Sequence, residues 1–452
     1  MMRKTLFAAA AVMLTKLSAL SLEQALDYTL ENSPDIQISL SDRTIRQMDL
    51  TKKLGAFLPS VDGNMELVHD TYRQIGTSTD PTSNLWRKNY SINAVQNVFD
   101  GMQRYHDYKS AERTLNAFTQ GTKDQSLNKM LEVGQSYVKV LLAEQLVELS
   151  KSNFKRLKEL ADLIDKRVGE GVSKQIDSVQ AKSRVSTARA NLLEALGQLY
   201  KNRAEFKMLT GGLSPVELES PELSDMIPKN YEELWKSVQE NGARLKQYAY
   251  LKDSAYYDYQ ATKSAFMPTV NAIARYEIRQ NVDGNTNKQF NGQLGMNLNY
   301  NIFRGSQDFQ TMYAQAQKYQ QARFEFKRQT NNLEFDTMSA WEDYNVTKDA
   351  LAFYIDHANA SDAITKAYKD QFVLGQRTLL DVLDSYNELY RSVSVKFQQE
   401  AQIKLQQLKI ATLNGQLSKL AHHQMKDKIF LSPQDEKKLL NTFITLEGMG
   451  LS

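Results

Sequence analysis

The chain has 452 residues, 41% of them hydrophobic and 24% charged, a formal charge of +3 and no cysteine. That length allows two or three ordinary domains. The lack of cysteine excludes disulfides, thiolate metal sites, a cysteine nucleophile and a lipidated N-terminal cysteine, and so small a net charge leaves no electrostatic footprint for nucleic acid.

At the N-terminus, Met1-Met2-Arg3-Lys4 precedes an apolar run from Leu6 to Leu14 and then Leu17-Ser18-Ala19. A basic start, a short apolar run and a small-residue cleavage site predict a secretory signal peptide over residues 1–19. Cleavage after Ala19 would remove Arg3, Lys4 and Lys16, and with them the whole formal excess of charge. No other run approaches the length of apolar residues that a membrane-spanning helix requires. An exported chain of this kind is periplasmic, secreted, or a β-barrel of the outer membrane.

Prolines stand at 34, 59, 81, 215, 221, 228, 268 and 433, leaving two long voids. Proline inside a helix costs about 3 kcal/mol, so such voids suit long helices. In the second void Leu379, Leu383, Tyr386, Tyr390, Val393 and Phe397 step alternately by four and three, a coiled-coil seam. Leu142, Leu146, Leu149, Leu157, Leu160 and Ile164 do so more loosely in the first. A helix over residues 101–168 would run about 100 Å at 1.5 Å per residue, too long to fold round a compact core.

Between helices the period changes to two. Val61, Gly63, Met65 and Leu67 alternate with Asp62, Asn64, Glu66 and Val68, and Tyr90, Ile92 and Ala94 continue the pattern. Val270, Ala272, Ala274, Tyr276 and Ile278 alternate with Asn271, Ile273, Arg275, Glu277 and Arg279. The sharpest case is Phe290 to Ile302, FNGQLGMNLNYNI, apolar or Gly on one face and uncharged polar or Gly on the other. Such a stretch exceeds the roughly 9–11 residues that a tilted strand needs to cross a bilayer, although a soluble half-buried strand reads alike. Trp86 and Tyr90 fit interfacial anchors or plain strand aromatics.

The two halves repeat each other. Ala56-Phe57-Leu58-Pro59-Ser60-Val61 matches Ala265-Phe266-Met267-Pro268-Thr269-Val270 at an offset of 209, as Glu31-Asn32 matches Glu240-Asn241. Asn97-Val98-Phe99-Asp100-Gly101 matches Asn301-Ile302-Phe303-Arg304-Gly305 at 204, as do Gly171 with Gly375 and Asp177 with Asp381. A surface loop at residues 76–84 can absorb the change. The expected plan is a first repeat over 20–211, with a β-hairpin at about 59–99 and long helices at about 101–168 and 173–210. A crossover at 212–229 follows, where Gly211-Gly212 lacks the Lys-Ser/Thr of a phosphate loop. The second repeat, 230–420, has a hairpin at about 268–303 and long helices at about 305–374 and 377–420, and 421–452 is a tail.

Four strands with a lipid-suited face cannot enter a bilayer alone, because unpaired edge groups in hydrocarbon cost several kcal/mol each. Known barrels start at eight strands, so closure requires several chains. Asn291, Gln293, Asn297 and Asn299, with Arg275 and Glu277, would then line a wet lumen.

Taken in order, Leu22-Glu23-Gln24-Ala25-Leu26, Glu31-Asn32-Ser33-Pro34, Leu58-Pro59-Ser60, Phe99-Asp100-Gly101 and the run from Gly375 to Asp384 resemble the TolC-type outer-membrane efflux and secretion family over residues 20 to about 420. The resemblance implies a mixed α and β membrane protein. In it, a homotrimer builds a twelve-stranded outer-membrane barrel continued by a long coiled-coil α-helical periplasmic barrel. It also implies a periplasmic adaptor and an inner-membrane ABC exporter or proton-driven pump as partners, with no catalytic activity and no cofactor. The segments 96–101, 167–172 and 299–305 are similar to the type I secretion branch, with drug efflux as the alternative.

In that family Gly171 and Gly375 would be the turns at the periplasmic tip. Asp381 and Asp384, three apart on one helix face, would give a ring of six carboxylates in a trimer, favouring cations and binding polyvalent ones. Arg377 matches the family's gate arginine and Asp177 its acidic partner, so a bond between them would latch the tip. Phe372 stands where the family often has tyrosine, without the hydroxyl. Thr378 and Asp381 also read as a helix cap, and the two roles are compatible. The five histidines (69, 106, 357, 422, 423) make no metal-ligand spacing, and no nucleophile–base pair, metal set or phosphate loop suggests an enzyme. A soluble periplasmic coiled-coil scaffold or adhesin would explain the helices but not the strands.

Overall fold

The computed structural model describes residues 19–73, 75–76, 82–215 and 217–421. The signal segment over 1–18, residues 77–81 of the expected loop, His422-His423 and the tail beyond 421 lie outside the described residues.

In chain order the elements are α1 (Leu22–Asn32), α2 (Pro34–Gly55), β1 (Ser60–Arg73), β2 (Thr82–Phe99), α3 (Gln103–Gly169) and α4 (Gln175–Leu209). The second copy supplies α5 (Tyr231–Asn241), α6 (Ala243–Thr262), β3 (Thr269–Gln280), β4 (Lys288–Asn299), α7 (Gln307–Val373) and α8 (Leu379–Leu413). Both α3 and α7 are 67 residues long, and both α4 and α8 are 35. The repeat read from the motifs is thus a repeat of element lengths.

Each copy opens on two helices where one was expected. Ser21 caps α1, taking the backbone N–H of Gln24 at 3.2 Å while the Gln24 side chain accepts from Ser21 at 3.3 Å. Leu22, Ala25, Leu26, Thr29 and Leu30 form its buried stripe. Pro34 then starts a new helix, and the residue before a proline disfavours helical backbone, so Ser33 is extended. At the position 209 residues later, Gly242 makes the same break. A Cβ there would lie 2.5 Å from the Val238 carbonyl oxygen, which restricts the site to glycine.

Two compact units make up the chain. Within the described residues the first takes 19–38, 124–242 and 333–421, and its core centres on Leu26, Val133, Tyr137, Phe206, Leu234 and Leu408. The Tyr137 hydroxyl lies 2.6 Å from the carbonyl oxygens of both Leu20 and Glu219, and its ring sits 6.1 Å from Phe206. Those carbonyls lie at a short parallel bridge between Leu20 and Leu218, so one side chain ties the residues just before α1 to the segment between repeats. Burial pushes the hydroxyl far above its ordinary range, keeping it a neutral donor. Tyr137→Phe should lower stability by about 1–3 kcal/mol by removing the donor from buried carbonyls, read as a lower midpoint in thermal unfolding.

The second unit takes 39–123 and 243–332. Its strands form one antiparallel sheet in the order β1-β2-β3-β4, with β2 of the first copy joined to β3 of the second. The two expected hairpins are therefore one continuous sheet. Small polar residues let its helices approach closely: Ser254 on α6 bonds Ser110 at 3.0 Å and Thr114 at 2.9 Å on α3.

Sheet and long helix meet at two corners. Gly101 and Met102 at one, and Gly305 and Ser306 at the other, take left-handed backbone. At Gly101 a Cβ would lie 2.7 Å from the Met267 Cβ, so this turn has room for glycine alone. Asp100 and Arg104 pair there at 2.6 Å, both largely buried. Offset by 204, Arg304 and Asp308 pair at 3.8 Å with the charges exchanged.

Candidate functional site

The sheet register sorts the side chains into two faces. Val61, Ala94, Ala274 and Leu294 lie in one cross-strand row, with Gly63, Ile92, Tyr276 and Gly292 in the next and Met65, Tyr90, Ile278 and Phe290 beyond. This face is apolar across these three rows and turns polar beyond them, at Gln96 on one side and Lys88, Gln280 and Lys288 on the other, yet Met65, Met296 and Leu294 are 69%, 76% and 88% exposed. An ordinary soluble sheet buries such a face; single exposed apolar residues are unremarkable, but contiguous rows mark an interaction surface.

On the opposite face run Asp62, Asn93, Arg275 and Gln293, then Asn64, Ser91, Glu277 and Asn291, and Asn97, Asn271 and Asn297. All six residues proposed from sequence as lumen lining share this face, Asn299 lying opposite Thr269 at its end. Charges here are compensated within the sheet. The Glu277 carboxylate is 3.8 Å from Arg275 and 3.5 Å from Arg279, and Arg87 reaches Asp70 at 2.6 Å and Glu66 at 3.3 Å. β1 and β4 are the outer strands, each paired on one side within the chain.

The second candidate is where α3 turns into α4 and α7 into α8. Both turns are built alike. Val172 donates to the Arg167 carbonyl and Gly171 to that of Val168, while Gln376 donates to Gln371 and Gly375 to Phe372. This double bond pattern closes a helix with a left-handed residue, supplied by Gly171 (φ +74°) and Gly375 (φ +76°). Beneath the turns Leu160, Ile164, Ala181, Ala188, Val382, Leu383 and Tyr386 share one buried cluster.

The acids predicted for this place cap helices. Asp381 Oδ2 accepts from the Thr378 backbone N–H at 3.1 Å and from its hydroxyl at 2.8 Å, and Asp177 accepts from the Lys174 N–H at 3.1 Å. The Thr378 hydroxyl and N–H hold the Asp381 carboxyl below its ordinary range. A depressed folded value stabilises the cap above the unfolded value and is lost only as the pH falls through the lowered one. Asp381 is therefore charged throughout the neutral range.

Asp384 Oδ1 meets Arg184 Nη2 of α4 at 3.4 Å. Arg377 donates from Nε to Gln371 Oε1 at 3.0 Å and lies 4.2 Å over the Tyr368 ring. Within one chain, then, Arg377 and Asp177 are each occupied by their own helix pair and not by each other. Phe372 is buried in the cluster with the Arg167 guanidinium 5.1 Å over its ring, so a cation on an aromatic face stands where a hydroxyl contact was looked for. Arg184, Arg167, Tyr368 and Gln371 escaped the sequence reading. Of these only Arg184 has a signal, the small residues Ala181 and Ala188 on either side of it, which let another helix come close enough for the arginine to reach across.

No helix among the described residues is long and apolar enough to cross a membrane, and no group of His, Cys, Asp and Glu there could hold a metal ion.

Comparison with known proteins agrees with this arrangement. Residues 25–212 match the family described as outer membrane efflux protein. The chain is 23% identical over 403 residues to the outer membrane efflux protein BepC of Brucella suis, covering 85% of this chain and 84% of that one. It is 19% identical to the alkaline protease secretion protein AprF of Pseudomonas aeruginosa, covering 83% and 80%. Among solved structures, the Campylobacter jejuni CmeC outer membrane channel superimposes with a TM-score of 0.77 at 13% identity over 90% of both chains.

Proposed function

We propose that the chain belongs to the outer membrane efflux protein family, whose description matches residues 25–212, and that it is the outer-membrane exit duct of a tripartite export system, most closely one of type I secretion of a large protein such as an adhesin. Members of the family are channel proteins and not enzymes. The observation that carries the reading is the two-faced sheet: one face apolar over three central rows and largely exposed, the other polar and charge-compensated. Lipid is the surrounding that stabilises the first face, and water the one that suits the second.

The open sides of β1 and β4 supply the reason for an oligomer. In a bilayer they must be paired, and three copies of a four-stranded sheet closing β4 onto the next β1 would give the twelve strands of the family's barrel. A homotrimer of this kind places the protein in the outer membrane with its helices in the periplasm. A periplasmic adaptor and an inner-membrane ABC exporter would complete the path. In this reading Asn291, Gln293, Asn297 and Asn299 line the lumen with amides, which solvate a passing unfolded polypeptide without the strong attachment a net charge would give. Gly171 and Gly375 form the periplasmic tip, with Asp381 and Asp384 as its acidic gate and Arg377, Asp177 and Phe372 at its latch. A bond from Arg377 to Asp177 would then join neighbouring protomers.

Secretion is favoured over drug efflux by the likeness to AprF, whereas the likeness to BepC favours the second reading, an outer-membrane component of a multidrug pump with a proton-driven partner. A strain lacking the gene decides between them. Type I secretion predicts that one large protein disappears from the medium while drug tolerance is unchanged; a fall in tolerance with an unchanged set of secreted proteins would support the pump. A soluble scaffold leaves the exposed apolar sheet face without a purpose.

A further inference from the structure

We propose that the contact between copies repeats a junction already present inside the chain: β4 of one copy pairs with β1 of the next in the register that β2 and β3 use, with Leu298 opposite Met65 and Asn297 opposite Glu66. This rests on the homotrimer reading given above and fixes the pairing within it. The internal repeat supplies the register. Its offsets of 209 and 204 hold in the sheet as well as in the motifs, because Ser60 pairs with Val95 in the first hairpin and Thr269 with Asn299 in the second. Thus β1 corresponds to β3, and β2 to β4. Between β2 and β3, Ala94 pairs with Ala274, Asn93 with Arg275 and Asn89 with Arg279. Moving the first of each pair forward by 204 and the second back by 209 gives Leu298 with Met65, Asn297 with Glu66 and Gln293 with Asp70 of the next copy.

The side chains agree with this register. Asp62, Glu66 and Asp70 recur every fourth residue on β1, and Asn301, Asn297 and Gln293 recur at the same interval on β4. Each carboxylate therefore faces an amide N–H donor, and the contacts of Arg87 with Glu66 and Asp70 leave lone pairs to accept it. A slip of one residue would set apolar side chains against the polar face. A slip of two in either direction would put Gly295 opposite Asp70 or Glu66 and lose one amide. The corners point to the same seat. A Cβ on Gly101 would strike Met267 and Ser264, in the segment that leads into β3. At the counterpart Gly305 no atom of the described residues lies within 4 Å of that position, nor at Gly55, the counterpart of Ser264. Phe303 is 79% exposed where its counterpart Phe99 is 38%, and Leu58, the counterpart of Met267, is exposed as well. In the proposed register the corner at Gly305 comes down on Gly55 and Leu58 of the next copy, as the corner at Gly101 does on Ser264 and Met267.

The chain has no cysteine, so introduced pairs read the register directly. Glu66→Cys with Asn297→Cys, oxidised with copper phenanthroline in isolated outer membranes, should link most of the protein into a covalent species of three chains on a non-reducing denaturing gel. Asp62→Cys with Asn301→Cys should do the same. Directly opposed residues lie within the span of about 4.4–6.8 Å that a disulfide bridges. Diagonal neighbours are about 7–8 Å apart, so Asn64→Cys or Val68→Cys with Asn297→Cys should give roughly a tenth of that yield or less. Within one chain β1 and β4 are separated by two strands, about 14 Å, so every link joins two copies. Bridging through position 64 or 68 in place of 66 would overturn the register and leave the trimer standing. So would the failure of both opposed pairs in an oligomer that still migrates unheated as a trimer. A wild-type chain extracted from the membrane as a monomer would instead remove the homotrimer on which the register rests.

Discussion

Arginine in place of Leu294 is expected to prevent assembly in the outer membrane, with the protein recovered as unassembled monomer. Leu294 sits at the middle of β4, 88% exposed, in the row it shares with Val61, Ala94 and Ala274. A charge at the lipid-facing midplane of a barrel costs about 2–4 kcal/mol. A trimer would carry that cost in every protomer, against folding free energies of only about 5–15 kcal/mol. The adjacent Gln293 faces the other way, so Gln293→Arg should assemble normally. Fractionation and the heat-modifiable migration of the extracted oligomer report both variants. Normal assembly of Leu294→Arg together with failure of Gln293→Arg would mean that the faces are assigned the wrong way round.

Exchanging both acids proposed for the gate for their amides separates capping from charge. In Asp381→Asn with Asp384→Asn, the side-chain carbonyl at 381 can still accept from the Thr378 N–H, so the helix start survives while the ring loses its charge. Single-channel recordings should show cation selectivity reduced and polyvalent-cation block weakened by about tenfold or more, as expected when several adjacent charges are removed. Thermal stability should move little. Asp381→Ala removes the acceptor as well and should cost about 0.5–2 kcal/mol, the ordinary value of a lost cap. Unaltered selectivity and block in the double amide variant would leave Asp381 a capping residue only.

Most of the architecture was legible because it is written in periods and punctuation. Two proline-free stretches delimit the long helices, alternation marks the strands, and Phe-x-Gly marks the corners. The duplicated motifs sharpened each assignment by supplying a second instance. What escaped was mostly tertiary. Alternation in β2 and β3 says nothing of which strand each will neighbour, so the joining of the two hairpins through eleven register pairs had to come from the structure. Neither break in the opening helices was foreseen: Pro34 carries a direct signal for the first, while the second, at Gly242, shows only through a Cβ that would strike Val238.

The tip divides similarly. Thr378 and Asp381 lie three apart and announce their cap locally. Arg184 and Asp384 are 200 residues apart and meet only because α4 and α8 share a core. Arg377 illustrates the converse. A motif placed it correctly at the turn, while its partners within the chain, Gln371 and Tyr368, follow from the helix it folds back upon.

The reversed ion pairs at the corners bear on any attempt to recombine the halves. Asp100 with Arg104 and Arg304 with Asp308 each neutralise themselves across one helical turn beside a left-handed bend. A chimera that grafts the bend of one half onto the helix of the other would therefore set two acids or two bases a turn apart, with little water to shield them at the first corner. The safe unit of exchange spans the bend and the first turn of its helix together.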